Sequence, residues 1–454
     1  MPIVDDVSPD ILQPLFPLHK NLTPAWNHIV TGVARAPDPA LAAVNLSRLL
    51  EHEIGTGEVL DSFNPCCDNL FVLGASQHLT NVLLSQGQDW EAAFLADRDA
   101  TEKTASVHLS SLRTTLTVLA LDLSKDDFRA GLRAYRNRKY LRIGPCDLLA
   151  RASLEETTRD LSALAEAAVQ IAYEYVEAQL TVDYGEAVVE EEAEPHPIEF
   201  VVLGMGKLGG EERNFSSDID LIYLFECDTG MTTSGRKGQV NSRTFFTMLA
   251  QDLTRTLSIP IAGGIVFQVD LGLRPDGTNG YIVKSLFNTL LYYESWGQTW
   301  ERAALLKARP IAGEKPIGQR FLHEVAPSIL RRYLDSTTVE DLKDLKARVD
   351  RERMNVKLSR SGIREIEFVA QVLQLIHAGK DPRVLERIKL RVLDRLCEGA
   401  YSTVADRDVL ARAYQFLHQV EHKIQIVQDP RRIPCQAQKG NTGLGTPSSP
   451  QWHE

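Results

Sequence analysis

Two apolar runs, IEFVVLG and DIDLIYLF, lie so close together that no packed helix fits between them. They flank the stretch GMGKLGGEERNFSS, whose first six residues, Gly204 to Gly209, match the glycine fingerprint G-x-G-x-x-G. Glu226 stands about twenty residues on, as a dinucleotide-binding fold would have it. That fold also needs a crossover of about a dozen residues or more between parallel strands. Only the eight residues GEERNFSS separate Gly209 from Asp218, and their apolar content is a single phenylalanine, Phe215. The dinucleotide reading fails on that helix.

A metal reading uses more of the stretch. On a strand, residues two apart share a side, so Asp218 and Asp220 present two carboxylates together, while Ile219, Leu221 and Tyr223 face the other way. Paired anions are costly unless a cation lies between them. Magnesium suits such a pair, because it takes oxygen ligands from one or two carboxylates and from substrate phosphates. Farther on, Ile265, Phe267, Val269, Leu271 and Leu273 alternate with Val266, Gln268, Asp270 and Gly272. That pattern predicts a strand with one buried face, and it makes Asp270 a third carboxylate on the polar side. Three carboxylates can serve two metal ions in an in-line phosphoryl displacement. The Gly209-Gly210 turn allows backbone N–H groups to approach phosphate oxygens. Ser216 and Ser217 add hydroxyl donors, and Arg274 and Lys307 are candidate phosphate-binding cations. The plainer alternatives are a turn or cap for Asp218 and Asp220, a surface ion pair for Arg274 and a solvated charge for Lys307.

The 454 residues carry a formal charge of −11, with 43% apolar and 24% charged residues. An acidic chain is a poor general nucleic-acid binder, since that activity neutralises phosphates with a basic surface. No apolar run is long enough to span a membrane. The N-terminus MPIVDDVSPD lacks the segments of a signal peptide, which points to the cytoplasm. The six cysteines show neither metal-ligand spacing nor a disulfide framework. Residues 1–188 are expected to be helical, with helices in LTNVLLSQGQDWEAAFLA, over Leu109 to Leu123, and after a Ser153 N-cap. Residues 189–330 form an α/β unit entered through the acidic connection VVEEEAEPHP. Residues 331–428 read as a helical bundle, with Leu342, Leu345 and Val349 on one stripe. Leu410, Ala413, Leu417, Val420, Ile424 and Val427 form another, while Arg364, Glu367, Gln371 and Gln374 form a polar stripe facing a neighbouring domain or water. Residues 429–454 read as a disordered tail.

Several segments in one order, GMGKLGGEERNFSSDIDLIYLF, VDLGLRPDG, TWERAALLKARPIAG and NVKLSRSGIREIEFVAQ, resemble the bifunctional glutamine synthetase adenylyltransferase/adenylyl-removing enzymes. NFSSDIDL and REIEF are similar to the forms of that family's N-terminal, adenylyl-removing half. The resemblance implies an α+β, mostly helical fold with a polymerase-beta-like nucleotidyltransferase domain between helical regions. It implies Mg2+ on Asp218, Asp220 and Asp270, with Gly209, Gly210 and Ser217 near nucleotide phosphates. The implied activity is phosphorolysis of adenylylated glutamine synthetase to ADP and active synthetase, with ATP, ADP and phosphate as small ligands and the PII signal protein as partner. A nucleotidyltransferase with another acceptor and a catalytically silent binding module are the alternatives. The chain departs from the family at Gly272, where arginine is usual, at Arg213, where leucine is usual, and at Ser359 and Ser361. The tail after Asp429 departs too, and is expected to reflect truncation or a frameshift of a chain about twice as long, with a natural short form as the alternative.

Overall fold

Ser153 opens the longest helix among the described residues, Leu154–Tyr184: its hydroxyl accepts from the N–H of Glu156, whose carboxylate accepts from the N–H of Ser153. This reciprocal cap satisfies two otherwise orphaned donors. The computed structural model describes residues 8–18, 26–52, 67–85, 103–116, 123–189, 196–260, 264–330 and 361–427. The described residues are mostly helical. Their strands are β1 (Ala187–Val189), β2 (His196–Pro197), β3 (Phe200–Gly204), β4 (Ile219–Phe225), β5 (Met231–Thr232), β6 (Val269–Asp270), β7 (Val283–Ser285) and β8 (Arg309–Gly313). The main sheet runs β6-β4-β3-β8, with β7 also paired to β4, and β2-β1-β5 form a small second sheet.

β3 and β4 are antiparallel, so the short GEERNFSS link needs no crossover helix. Both faces of this sheet are covered, which is why its two central strands read as continuous apolar runs. Phe200, Val202, Leu221, Tyr223 and Phe225 pack against the long helix and the helix Ser242–Ser258. Tyr173 of the long helix stacks on Phe200 at 5.5 Å between ring centroids. Val201, Leu203, Ile222 and Leu224 face Tyr293, Phe321 and Val325 on helices Leu286–Ser295 and Lys315–Ile329. Burying each such side chain is worth about 1.5–3 kcal/mol.

The helices expected around residues 79–96 and 109–123 occupy Gln77–Leu84 and Ala105–Thr115. Residues 86–100, 117–122, 190–195, 331–360 and 428–454, with the stripe Leu342, Leu345 and Val349, lie outside the described residues.

Two expectations are corrected. The alternating run Ile265 to Leu273 contributes only Val269–Asp270 to the sheet, and Val266 is buried beside Phe267. The N–H groups of both residues donate to the carbonyl of Leu257, which rolls the chain before it can pair. Helix Val404–Val427 is rotated from the face its apolar stripe suggests. Tyr414, His418, His422, Gln425 and Ile426 are buried, whereas Ile424 is 58% exposed and Val420 is also exposed. Hydrogen-bonding demand from the β3–β4 hairpin turns the polar face inward.

Candidate active site

The β3–β4 hairpin carries the site. After Gly204 the chain passes through the one-turn helix Gly206–Gly209 and a loop to Asp218. Met205 N donates to the carbonyl of Asp220 at 2.9 Å, tying the turn to the strand start. Gly206 has φ +53°, and a Cβ there would overlap Oδ2 of Asp220. The left-handed backbone and the close carboxylate together restrict this position to glycine.

Asp220 stands in register with Asp270 across the parallel strands β4 and β6, and Asp218 is exposed at the strand entrance. Burial first, then the charges of Asp270 and Asp218, push the Asp220 carboxyl up to about 7, against the opposing pull of Lys207 and Lys307. Asp270 Oδ1 accepts from the N–H of Gly272 at 2.6 Å. The approach to β6 is clamped by Arg136 of helix Lys125–Leu148, which donates to the carbonyls of Ile265 and Val266 at 3.0 and 2.7 Å.

A cavity of about 600 Å³ opens beside these carboxylates. From the hairpin it is lined by Gly206, Lys207, Ser216, Ser217, Asp218 and Asp220. Arg364, Glu367, Gln371, Glu421 and Gln425 close it from the helices Ser361–His377 and Val404–Val427. Lys307, just before β8, also lines it, and its ammonium donates to Glu212 and Glu367 at 2.9 Å each. Burial alone would lower the lysine's pKa, but the two carboxylates outweigh it and raise it. Burial would likewise raise the Glu367 carboxyl; Lys307 and Lys389 reverse this and hold it at about 2.

Ser216, Ser217, Asp218, Asp220 and Lys307 therefore meet around one cavity. Other candidates do not join them. Gly209 and Gly210 are buried, and their N–H groups already donate to the carbonyls of Met205 and Gly206. Their small size serves packing instead, since a Cβ at Gly209 would overlap the carbonyl of Lys307. The Arg274 guanidinium is spent on its own loop, donating to the carbonyls of Leu271, Thr278 and Gly280. Gly206, Lys207, Glu421 and Gln425 were missed at the sequence level. The polar pair Glu421 and Gln425, four residues apart beside an apolar stripe, was the available signal.

Among the described residues, no three acidic, imidazole or thiol groups form a ready-made metal site. The trio expected to share metal ions is thus not a closed ligand set. It still fits a magnesium ion, which needs only one or two carboxylates and takes its other oxygens from water and phosphate. Burial and the neighbouring carboxylates disfavour the charged form of Asp220, a cost that a cation beside it would relieve, and the missing Cβ of Gly206 gives its carboxylate room.

Residues 70–324 match the family model described as glutamate-ammonia ligase adenylyltransferase. The chain belongs to that family. Residues 338–433 match a second model, GlnD PII-uridylyltransferase. Relatives named bifunctional glutamine synthetase adenylyltransferase/adenylyl-removing enzyme include those of Pseudomonas aeruginosa, 40% identical over 311 residues, and Thioalkalivibrio sulfidiphilus, 43% identical over 312. Each alignment covers 67% of this chain and 31% of the relative. The Shewanella oneidensis relative is 35% identical over 364 residues, covering 79% of this chain and 37% of its own length. The chain spans about a third of the length of the curated relatives it matches. Among the described residues, no helix is long and apolar enough to cross a membrane.

Proposed function

We propose that the chain removes adenylyl groups from a tyrosine of glutamine synthetase by phosphorolysis. An oxygen of orthophosphate forms a bond to the AMP phosphorus, the bond from phosphorus to the phenolic oxygen breaks, and the phenolate takes a proton from solvent. The products are ADP and the unmodified tyrosine. The observation that carries this reading is Asp218 and Asp220 lining one cavity with the serine loop and Lys307, while Asp270 stands in register with Asp220 on the adjoining strand. Asp218, Asp220 and Asp270 would hold magnesium, which supplies charge stabilisation at the transferring phosphoryl group. Ser216 and Ser217 orient phosphate oxygens, and the Lys307 cluster closes the cavity floor. A phenol with pKa about 10 leaves without a strong general acid once its charge is met, and phosphate arrives already ionised.

The arrangement of β3, hairpin, β4 and β6 supports a polymerase-beta-like nucleotidyltransferase domain over 189–330, between helical regions 1–188 and 331–428. The match of residues 338–433 to a PII-uridylyltransferase model supports PII docking on the C-terminal helices. The same reading places the chain in the cytoplasm. Incubation with adenylylated glutamine synthetase, magnesium and phosphate should release ADP. The Asp218→Asn/Asp220→Asn double variant should fold, retain PII docking and release none. ADP release by that variant at the parent's rate, or none from the parent, sinks the proposal.

A further inference from the structure

One turn apart on helix Val404–Val427, Glu421 and Gln425 reach into the cavity and engage two donors of the β3–β4 hairpin. The Lys207 ammonium donates to both oxygens of Glu421, at 2.9 Å each. The backbone N–H of Ser216 donates to Oε1 of Gln425 at 3.0 Å. Gln425 Nε2 in turn donates to Glu421 at 3.3 Å, joining the two helix residues into one unit. Three oxygens, two of them anionic, thus sit on a lysine and a backbone N–H beside Asp218 and Asp220. A phosphate dianion presents the same kind of acceptor set with more charge. Lys307 is 6% exposed and gripped by two carboxylates, whereas the Lys207 side chain is 24% exposed and, among the described residues, ion-pairs with Glu421.

We propose that Lys207 and the Ser216 N–H receive the attacking phosphate, and that Glu421 and Gln425 are built-in competitors that must let go before phosphate enters. This rests on the nucleotidyl-transfer reading above and adds a gate to it. Glu421 blocks twice: it neutralises the receiving ammonium, and its charge repels a dianion from the cavity. Displacing it links phosphate binding to movement of the C-terminal helix.

Titration calorimetry of inorganic phosphate into the full chain with magnesium tests this, alongside phosphate KM and kcat for ADP release. Glu421→Gln should bind phosphate about tenfold more tightly, the effect of weakening one partly buried ion pair by about 1.4 kcal/mol. Its phosphate KM should fall accordingly, and Glu421→Asp should stay near the parent. Gln425→Leu breaks no charge pair and removes the acceptor from the Ser216 N–H, so it should tighten binding about threefold even if Glu421→Gln fails to fold. Lys207→Met should lose phosphate binding, with partial recovery in Lys207→Arg. Unchanged phosphate affinity in folded Glu421→Gln or in Gln425→Leu overturns the gate while phosphate-dependent ADP release keeps the reaction assignment. Absence of that release from the parent overturns both.

Discussion

At Asp220, burial and two neighbouring carboxylates act in the same direction, and the metal-free protein bears the strain. Its carboxyl is held at about 7 against an ordinary 3.8. Between those values the folded chain keeps a proton that the unfolded chain gives up, so stability falls as pH rises through that window. Asp220→Asn should flatten this loss and stabilise the metal-free protein by about 1–2 kcal/mol at pH 8, measured by urea unfolding. The same substitution should abolish ADP release. That Asp218 and Asp220 line one cavity was legible, because strand period puts residues two apart on one side. Arg274 was not legible: the carbonyls that consume its guanidinium belong to a loop whose curl has no periodic signature.

Helix Val404–Val427 shows how an element can be recognised and its orientation misjudged. Its apolar spacing identified the helix, but the inward face holds His418, His422 and Gln425. Both histidines share Oδ1 of Asn214, His418 through Nε2 at 3.0 Å and His422 through Nδ1 at 3.1 Å. Those partners lie about two hundred positions away in the chain, beyond any local pattern. Burial leads the causes that hold the His422 imidazole at about 3, below its usual 6.5. The unfolded chain therefore takes up a proton first on acidification, and stability contributed by the neutral ring is lost as pH falls from 6.5. At pH 5 the loss should reach about 2 kcal/mol, seen as a lower unfolding midpoint by calorimetry. His422→Asn should lower stability at pH 7 and make the pH dependence shallower.

Across the whole molecule, Lys307 gathers parts that are distant in the chain. Glu212 comes from the hairpin and Glu367 from helix Ser361–His377, and Glu212 also accepts from the N–H of Lys389 at 2.7 Å. Lys307→Met leaves two carboxylates without their main cation in a largely buried place. The cost should be about 3–5 kcal/mol in urea unfolding, and adding Glu212→Gln and Glu367→Gln should recover much of it. Such a hub is invisible to composition and spacing, because each charge reads alone as a solvated surface group. Arg213 forms a smaller junction. Its guanidinium donates to the carbonyl of Ser217 at 2.9 Å and to the Tyr140 hydroxyl at 3.2 Å, and it lies 4.7 Å from the centre of the Phe267 ring. Ser217 adjoins Asp218, and Phe267 stands three positions before Asp270. One flat cation thereby acts as a shim between the two acidic arms, so the width of the gap between them is gauged from behind, by a residue that never meets the solvent.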